Sequence, residues 1–210
     1  MIKKNIYCMY AISFLQGMVF YGPVATLYRQ NAGINLFSIT LIESISLVLT
    51  IAFELPWGVI ADKIGYRRTM VMCTFLFFVS KIIFWRADGF AGFLLERVLL
   101  SVVLSGMSGV DSSLLYLSCP EENAQHVFSL YQQLGTAGLL LASGVYSLLI
   151  KENYRLAAFL TVISYGLAAV LALNIKEVRK QTASVQGHTK EMFQMIKGLW
   201  NRKALLCFGL

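Results

Sequence analysis

GVIADKIGYRR, residues 58–68, is a charged segment between two long apolar runs, residues 37–57 and 69–84. Each run has about the 20 residues that a helix needs to cross a bilayer. Two glycines and a dense group of charges fit a short turn between two membrane helices, because charged groups are costly inside lipid. Three cations, Lys63, Arg67 and Arg68, place this turn in the cytoplasm, where positive charge is enriched in loops.

The composition of the whole chain is that of an integral membrane protein. Of its 210 residues, 57% are hydrophobic and 14% are charged, whereas soluble domains are about 45–50% apolar and about 25% charged. The formal net charge of +7 does not indicate nucleic-acid binding, because the basic residues alternate with apolar runs instead of forming one continuous face. The four cysteines form no C-x-x-C pair, so we expect neither a metal nor another cofactor.

Six apolar stretches are long enough to cross a membrane, and turn residues or charges separate them. They cover residues 6–28, 37–57, 69–85, 90–117, 127–150 and 156–175. With the N-terminus in the cytoplasm, the inner segments contain twelve cations: Lys3, Lys4, Lys63, Arg67, Arg68, Lys176, Arg179, Lys180, Lys190, Lys197, Arg202 and Lys203. The outer loops contain four: Arg29, Arg86, Lys151 and Arg155. This difference predicts a multi-pass protein of the bacterial inner (plasma) membrane with both termini in the cytoplasm.

Two segments of different character follow the six-helix bundle predicted for residues 1–175. Residues 176–201 start as a polar linker, after which six apolar residues fall on one face of a short helix: Met192, Phe193, Met195, Ile196, Leu199 and Trp200. We expect this helix to lie in the membrane interface, with a plain connector as the alternative. Residues 202–210 are predicted to begin a seventh membrane helix that stops short of a full span.

The 58–68 segment resembles the loop between helices 2 and 3 of major facilitator superfamily transporters. Its matching residues are Gly58, Ala61, Asp62, Lys63, Gly65, Arg67 and Arg68, with Ile60 in place of the usual Leu and Tyr66 where Arg is common. The resemblance implies a gate, in which Asp62 and the basic residues form a charge relay that closes the cytoplasmic side. Residues 54–58 and 108–116 also look like one drug-efflux-like branch. The chain would then be the all-α, N-terminal half of a twelve-helix secondary transporter.

Ionisable residues inside the apolar runs are costly and therefore point to function. They are Glu43 and Glu54 in the second span, Lys81 in the third, and Glu96, Arg97 and Asp111 in the fourth. Lys81 is near the outer end of its span, so we expect it to extend toward the surface. Arg97 and Asp111 share one helix face, and Glu43 lies at a depth similar to that of Arg97. A Glu43–Arg97 pair would either couple proton binding to movement or hold the helices together as a static ion pair.

Polar and aromatic residues of the first and fifth spans are candidates for lining a cavity that takes a small organic solute. They are Phe14, Gln16, Phe20 and Tyr21, and Tyr131, Gln132 and Gln133. Lipid-facing or packing roles are the alternative for each of them. Three glycines of the fifth span, Gly135, Gly138 and Gly144, predict close contacts with neighbouring helices.

Two other functional classes are compatible with parts of the sequence. Gly106-Met107-Ser108-Gly109 matches the G-x-S-G pattern of rhomboid intramembrane proteases. That chemistry needs a histidine beside the serine, and His126 and His188 fall in or beside cytoplasmic loops, so we do not expect an enzyme. The second class is a six-helix channel or half-transporter that pairs with itself. The expected partners are the lipid bilayer, a small solute, a proton if transport is coupled, and either a C-terminal six-helix half or a second copy.

Overall fold

The computed structural model describes residues 2–151 and 153–178, with side chains for 3–54, 56–57, 60–61, 63–120, 122–151 and 153–178. Its α-helices are α1 (Ile2–Gly17), α2 (Ala25–Asn31), α3 (Leu36–Ile64), α4 (Tyr66–Arg86), α5 (Gly89–Ser118), α6 (Ala124–Val145) and α7 (Tyr154–Ala172). Two short 3₁₀ turns, Gly22–Val24 and Glu121–Asn123, precede α2 and α6, and a π-helical turn, Tyr146–Ile150, follows α6. The predicted interfacial and seventh helices lie outside the described residues.

Six segments of the described chain are long and apolar enough to cross a membrane. They are Lys3–Asn31, Leu36–Glu54, Tyr66–Arg86, Gly89–Ser118, Ala124–Ile150 and Tyr154–Ala172. The first span is formed by α1 and α2 together, and α3 to α7 each belong to one of the other five. The predicted six-helix, all-α membrane fold is therefore confirmed.

The first three spans (α1 to α4) and the last three (α5 to α7) have matching contact patterns. Helix α5, which begins the last three, contacts α3 and α4, just as α1, which begins the first three, contacts α6 and α7. Helix α1 also contacts α5, and α4 contacts α7, and each of these contacts joins equivalent helices of the two groups. Because each group has three spans, exchanging the groups reverses the direction of every helix, as in the inverted repeats of many transporters. The sequence itself shows no repeat, so this symmetry is visible only in the packing.

The first span is not the continuous helix over residues 6–28 that its apolar character predicted. The α-helix ends at Gly17, and regular structure resumes only at Gly22, where Pro23 occupies the start of a 3₁₀ turn. Proline has no N–H to donate and its ring excludes the preceding helical turn, so it breaks a helix that would otherwise continue. The Gly22-Pro23 dipeptide was the sequence signal for this break.

Helix α7 supplies the hydrogen bonds that the broken first span loses. Backbone groups inside a membrane need partners, since lipid offers none. The bonds are from Ser164 Oγ to the Leu15 carbonyl at 2.6 Å, from Tyr165 OH to the Gln16 carbonyl at 2.6 Å, and from the Phe20 amide to Thr161 Oγ1 at 3.0 Å. Three neighbouring polar residues on one face of α7 therefore fix the position of the break.

Glycines bring α1 and α6 into backbone contact. A Cβ added at Gly17 would lie 2.1 Å from the Gly135 carbonyl oxygen, and one at Gly138 would lie 2.2 Å from the Phe14 carbonyl oxygen. The predicted close contacts of Gly135 and Gly138 are present in this interface. The prediction was wrong for Gly144, because a Cβ there would meet no atom of the described chain within 4 Å.

The 58–68 segment contains a turn of one residue. Helix α3 continues to Ile64, beyond the predicted end at residue 57, and α4 begins at Tyr66. Gly65 connects them with φ +95° and ψ +146°, a conformation that only glycine adopts without strain. The tight turn predicted at Gly65 is thus present, but most of the segment is helical. We call this end of the bundle the Gly65 end and the opposite one the Gly22 end.

Aromatic rings form the core at the Gly22 end. Tyr21 and Tyr28 stack on Phe84 with centroid distances of 4.0 and 4.9 Å, and Phe93 packs edge-on to Phe84 at 5.4 Å. The faces of aromatic rings carry partial negative charge. A core built in this way can surround a buried cation.

Candidate functional site

Five charged residues meet inside the bundle near the Gly22 end, and we call them the charge network. They are Arg29 of α2, Glu43 of α3, Lys81 of α4, and Glu96 and Arg97 of α5. They meet because α5 packs against both α3 and α4, while α2 contacts α3. The charge network therefore joins the first four spans.

Glu43 is the centre of one half of the charge network. Its Oε1 accepts a hydrogen bond from Arg29 Nη1 at 2.6 Å and lies 2.6 Å from Arg97 Nη2. The Arg29 side chain is 2% exposed, whereas those of Arg97 and Glu43 are 22% and 42% exposed. One carboxylate oxygen thus joins a buried arginine to an arginine that is reachable from outside the bundle. The sequence placed Glu43 and Arg97 at one depth, and the structure brings them into contact.

Lys81 forms the other half of the charge network, and the prediction that it extends to the surface was wrong. The residue is 5% exposed. Its Nζ donates to Tyr21 OH at 3.1 Å and lies 3.9 Å from Glu96 Oε1. The rings of Phe77 and Tyr165 lie 5.0 and 5.3 Å from the ammonium. A carboxylate and several ring faces replace the water that the ammonium would otherwise reach.

Arg29 was counted with the outer loops, and this prediction was also wrong. The residue lies in α2, and its guanidinium carbon is 5.8 Å from the Phe84 centroid and 5.9 Å from that of Phe93. The break in the first span precedes a second helical segment, α2, which keeps Arg29 inside the bundle. The same Gly22-Pro23 signal would have indicated that residues after 23 do not simply leave the membrane.

Several polar atoms of the charge network have no hydrogen-bond partner among the described residues. They are Arg29 Nε, Arg97 Nε and Glu96 Oε2. Arg97 Nε and Glu96 Oε2 face each other at 3.7 Å, which attracts opposite charges but is too long for a hydrogen bond. Two buried N–H donors on two arginines therefore remain unused.

Two serines fix the helices that carry the network. Ser101 Oγ of α5 donates to the Ser46 carbonyl of α3 at 2.9 Å, and the two hydroxyls lie 2.8 Å apart. Ser101 Oγ also contacts the Arg97 carbonyl at 2.8 Å. The crossing of α3 and α5 is thus held about one helical turn from Glu43 and Arg97.

Asp111 lies toward the Gly65 end and does not join the charge network. Tyr131 OH donates to its Oδ2 at 3.3 Å, and the Ser112 amide donates to its Oδ1 at 2.7 Å. Fourteen residues of α5 separate it from Arg97, which is about 21 Å along the helix axis. Glu54 lines a separate cleft of about 240 Å³ at the Gly65 end.

The polar cavity candidates are distributed over both ends of the bundle. Tyr21 contacts Lys81 in the charge network. Gln16 is half-buried in α1, and its Nε2 has no partner among the described residues. Gln132 is exposed on α6. Among Gln16, Tyr21, Glu43, Arg97, Asp111 and Gln132, the described structure therefore brings Tyr21, Glu43 and Arg97 into one connected group.

At the Gly65 end, side chains bind the backbone that follows α7, and we call these bonds the α7 exit contacts. Arg67 Nε donates to the Ile175 carbonyl at 2.6 Å, and Arg67 Nη2 to the Leu173 carbonyl at 3.4 Å. Asn5 Nδ2 donates to the Lys176 carbonyl at 2.9 Å, and the Lys176 amide donates to Asn5 Oδ1 at 3.0 Å. Arg67 of the 58–68 segment is thus bound within its own bundle.

The other residues of the proposed gate differ in what the structure describes. Lys63 and Arg68 are exposed at the Gly65 end. Gly58 and Asp62 belong to α3, and the Asp62 side chain lies outside the described ones. The charge relay implied by the resemblance stays a prediction.

A family comparison agrees with this architecture of six apolar helices. The sequence pattern of the Major Facilitator Superfamily matches residues 6–210. The chain belongs to the major facilitator superfamily. Six apolar spans fit a membrane transporter, and the family points to a transporter rather than an enzyme.

Two curated relatives of this major facilitator chain are similar over most of its length. An uncharacterised MFS-type transporter of Methanocaldococcus jannaschii is 23% identical over 171 residues, which are 78% of this chain and 44% of the relative. An uncharacterised transporter of Buchnera aphidicola is 22% identical over 200 residues, which are 93% of this chain and 50% of the relative. The chain therefore spans about half the length of the curated relatives that it matches.

Among the described residues, Ser108 Oγ of this major facilitator chain has no hydrogen bond to a histidine. Ser108 Oγ contacts the Ser105 carbonyl at 3.4 Å, and His126 is exposed in the first turn of α6. His188 lies outside the described residues. A serine nucleophile needs a base within hydrogen-bond reach, and in the described part its contact is a carbonyl of its own helix.

Proposed function

We propose that this chain supplies one six-helix half of a secondary transporter that moves a small organic solute across the plasma membrane by alternating access. Its family and its match to about half of two transporter relatives support the proposal. The N-terminus and the Gly65 end would face the cytoplasm, as the distribution of Lys and Arg indicates. The 58–68 segment would act as the cytoplasmic gate, and its neighbouring motifs favour efflux as the direction.

The surfaces of α3 and α6 support docking of a second six-helix bundle. These two helices are the least buried of the six spans within the described bundle. Both expose aliphatic side chains, among them Leu47, Val48 and Ile51 on α3, Leu140 on α6, and Leu148 and Leu149 in the turn after α6. The second bundle would be the other half of a longer protein, and a second copy of this chain is the alternative partner.

The contact that carries the coupling mechanism is the Glu43 oxygen shared by two arginines. While Glu43 is ionised, its Oε1 attracts Arg29 and Arg97 at 2.6 Å each. Protonation would remove that attraction and leave two like charges close together in a medium of low dielectric. Arg97, as the more exposed arginine, would then move away. Proton binding at Glu43 would in this way loosen the α3–α5 contact, and a proton gradient could drive movement of the helices.

The test measures access to α3 beside Glu43 as the pH is lowered. Ser44 is exposed and adjacent to Glu43, so Ser44→Cys is introduced into the intact protein in lipid vesicles, with its native cysteines replaced by alanine. We expect maleimide to alkylate position 44 faster as the pH falls, relative to Ser147→Cys, an exposed serine in the turn after α6. The ratio removes the pH dependence of the thiol reaction itself.

The variant Glu43→Gln imitates the protonated state, so the alkylation rate at position 44 relative to position 147 should be high at every pH. If the ratio stays constant with pH when Glu43 is present, or if Glu43→Gln leaves its pH dependence unchanged, proton coupling through Glu43 is wrong. Arg155→Gln is the matched control, because it breaks an exposed ion pair with Asp88 and should leave the ratio as it is.

A further inference from the structure

The charge network contains an excess of positive charge among the described residues. Arg29, Lys81 and Arg97 are cationic, and Glu43 and Glu96 are their carboxylate partners. With all five ionised, one positive charge is left without a counter-charge. Inside a membrane protein such a charge is costly. A bound monoanion would neutralise the group, whereas a dianion would reverse the excess and a cation would increase it.

The unused donors of the network point to the same kind of ligand. Among the described residues, Arg29 Nε and Arg97 Nε have no hydrogen-bond acceptor. Each guanidinium contacts Glu43 through one terminal nitrogen only, Arg29 through Nη1 and Arg97 through Nη2. A guanidinium binds a carboxylate best through two parallel N–H···O bonds. Both arginines therefore retain capacity for an oxyanion.

Exposure decides which arginine a ligand reaches. The Arg29 side chain is closed in by the bundle at 2% exposure, and Arg97 is 22% exposed beside a Glu43 side chain that is 42% exposed. A ligand that approaches from the open side therefore meets Arg97 and Glu43 first. Lys81 is buried behind Glu96 and Tyr21 and would act at a distance, through its charge.

We infer that Arg97 binds the carboxylate group of a monoanionic organic acid, which is the substrate class of the proposed transporter. The two ligand oxygens would accept from the two terminal nitrogens of the Arg97 guanidinium, while Arg97 Nε stays opposite Glu96 Oε2. Glu43 would lose its ion pair with Arg97 and retain the one with Arg29, so that each arginine pairs with one carboxylate. The Glu43 carboxylate thus competes with the substrate for Arg97.

The experiment uses the intact protein in lipid nanodiscs and follows thermal unfolding by intrinsic fluorescence. The probes are benzoate and acetate, with benzamide, benzylamine, chloride and inorganic phosphate as comparison compounds. We expect the carboxylates to raise the melting temperature in a saturable manner, and the other compounds to have little effect. Arg97→Gln should abolish the shift, and Arg97→Lys should retain a weaker one, because lysine keeps the charge but has no bidentate fork.

Competition with Glu43 gives a second, independent readout. Glu43→Gln removes the internal competitor and should tighten benzoate binding by about tenfold, in the range of typical coupling between two sites. Arg155→Gln should leave benzoate binding unchanged. If Arg97→Gln fails to fold, the pair Arg97→Lys and Glu43→Gln still tests the site, since their effects have opposite signs.

Three results would overturn the assignment: no shift with either carboxylate, an equal shift with benzamide, benzylamine or chloride, or a benzoate shift that persists in Arg97→Gln. The inference rests on the proposed transport function, but different experimental results would refute the inference and the transport proposal. Transport of neutral or cationic solutes without carboxylate binding would refute only the substrate class. Carboxylate binding at Arg97 in an intact protein that transports nothing would refute only the transport proposal.

Discussion

The charge network and the α7 exit contacts hold opposite ends of one bundle by different means. In the charge network, Glu43 and Glu96 bind the side chains of other charged residues, and single oxygens or nitrogens serve several partners. At the Gly65 end, Asn5 and Arg67 bind backbone carbonyl and amide groups. A carboxylate can be neutralised by a proton, whereas a peptide group carries no charge that a proton could neutralise at ordinary pH. The difference indicates an adjustable end and a fixed end.

The largest expected effect comes from breaking one ion pair of the charge network. Lys81→Met leaves Glu96, which is almost fully buried, without its lysine partner. We expect a loss of roughly 3–5 kcal/mol in the free energy of unfolding, because a buried charge that loses a partner is destabilising and the 3.7 Å contact of Glu96 with Arg97 replaces that partner only in part. Chemical unfolding in detergent micelles, followed by fluorescence, measures this change.

The double variant Lys81→Met/Glu96→Gln makes the comparison sharper. Removing both charges should recover most of the loss, since the buried charge no longer needs a partner. A double variant as unstable as Lys81→Met alone would mean that packing around Lys81, and not its charge, stabilises this end.

At the fixed end, Gly65→Ala should have the next largest effect. A residue other than glycine at φ +95° and ψ +146° is strained by about 1–3 kcal/mol. The added Cβ would also lie 3.2 Å from Glu177 Oε1. Thermal unfolding of the variant in micelles measures the loss.

Gly89→Ala is the matched control for that substitution. Gly89 also has a positive φ, +76°, but its added Cβ would meet no atom of the described chain within 4 Å. Both variants should lose stability through the positive φ, and Gly65→Ala should lose more, because its Cβ also meets Glu177. Equal losses would show that Glu177 moves aside freely.

The smallest of the three effects is expected for Asn5→Ala. The variant loses two hydrogen bonds to the Lys176 backbone, each worth about 0.5–1.5 kcal/mol. We expect faster hydrogen exchange of the Lys176 amide and little change in exchange in the rest of the bundle. The control is Asn31→Ala at an exposed asparagine of α2, which should leave the exchange of the Lys176 amide unchanged. No second side-chain substitution should rescue the loss, because the partner is backbone. A rescue of that kind would remove the distinction between the two ends.

Depth along the spans was the part of the site that the sequence could predict. Glu43 and Arg97 could be placed at one level by counting from the ends of their apolar runs, and they are in contact. The turn at Gly65 could be predicted as well, because glycine readily adopts the positive φ that a tight turn uses. Counting residues works for features that depend only on distance along the chain.

Which helices lie side by side could not be predicted by counting residues along the spans. Lys81 and Arg29 were assigned to the surface by depth, but whether a cation at that depth reaches water or a carboxylate depends on which helices are adjacent. Arg67 binds carbonyls more than a hundred residues away in sequence, and a local motif contains no information on such a partner. The break at Gly22-Pro23 was a missed local signal, since the apolar character of residues 6–28 outweighed it.

The burial of Arg29 has a consequence for the order in which this protein enters the membrane. The chain is synthesised from its N-terminus, so the first span emerges with a cation whose counter-ion, Glu43, is still fourteen residues from being made. An unpaired arginine at membrane depth makes insertion unfavourable. An Arg29–Glu43 pair has no net charge, so its insertion should cost less. We therefore expect the first two spans to leave the translocation machinery together, as a hairpin that forms its ion pair before it is released into lipid.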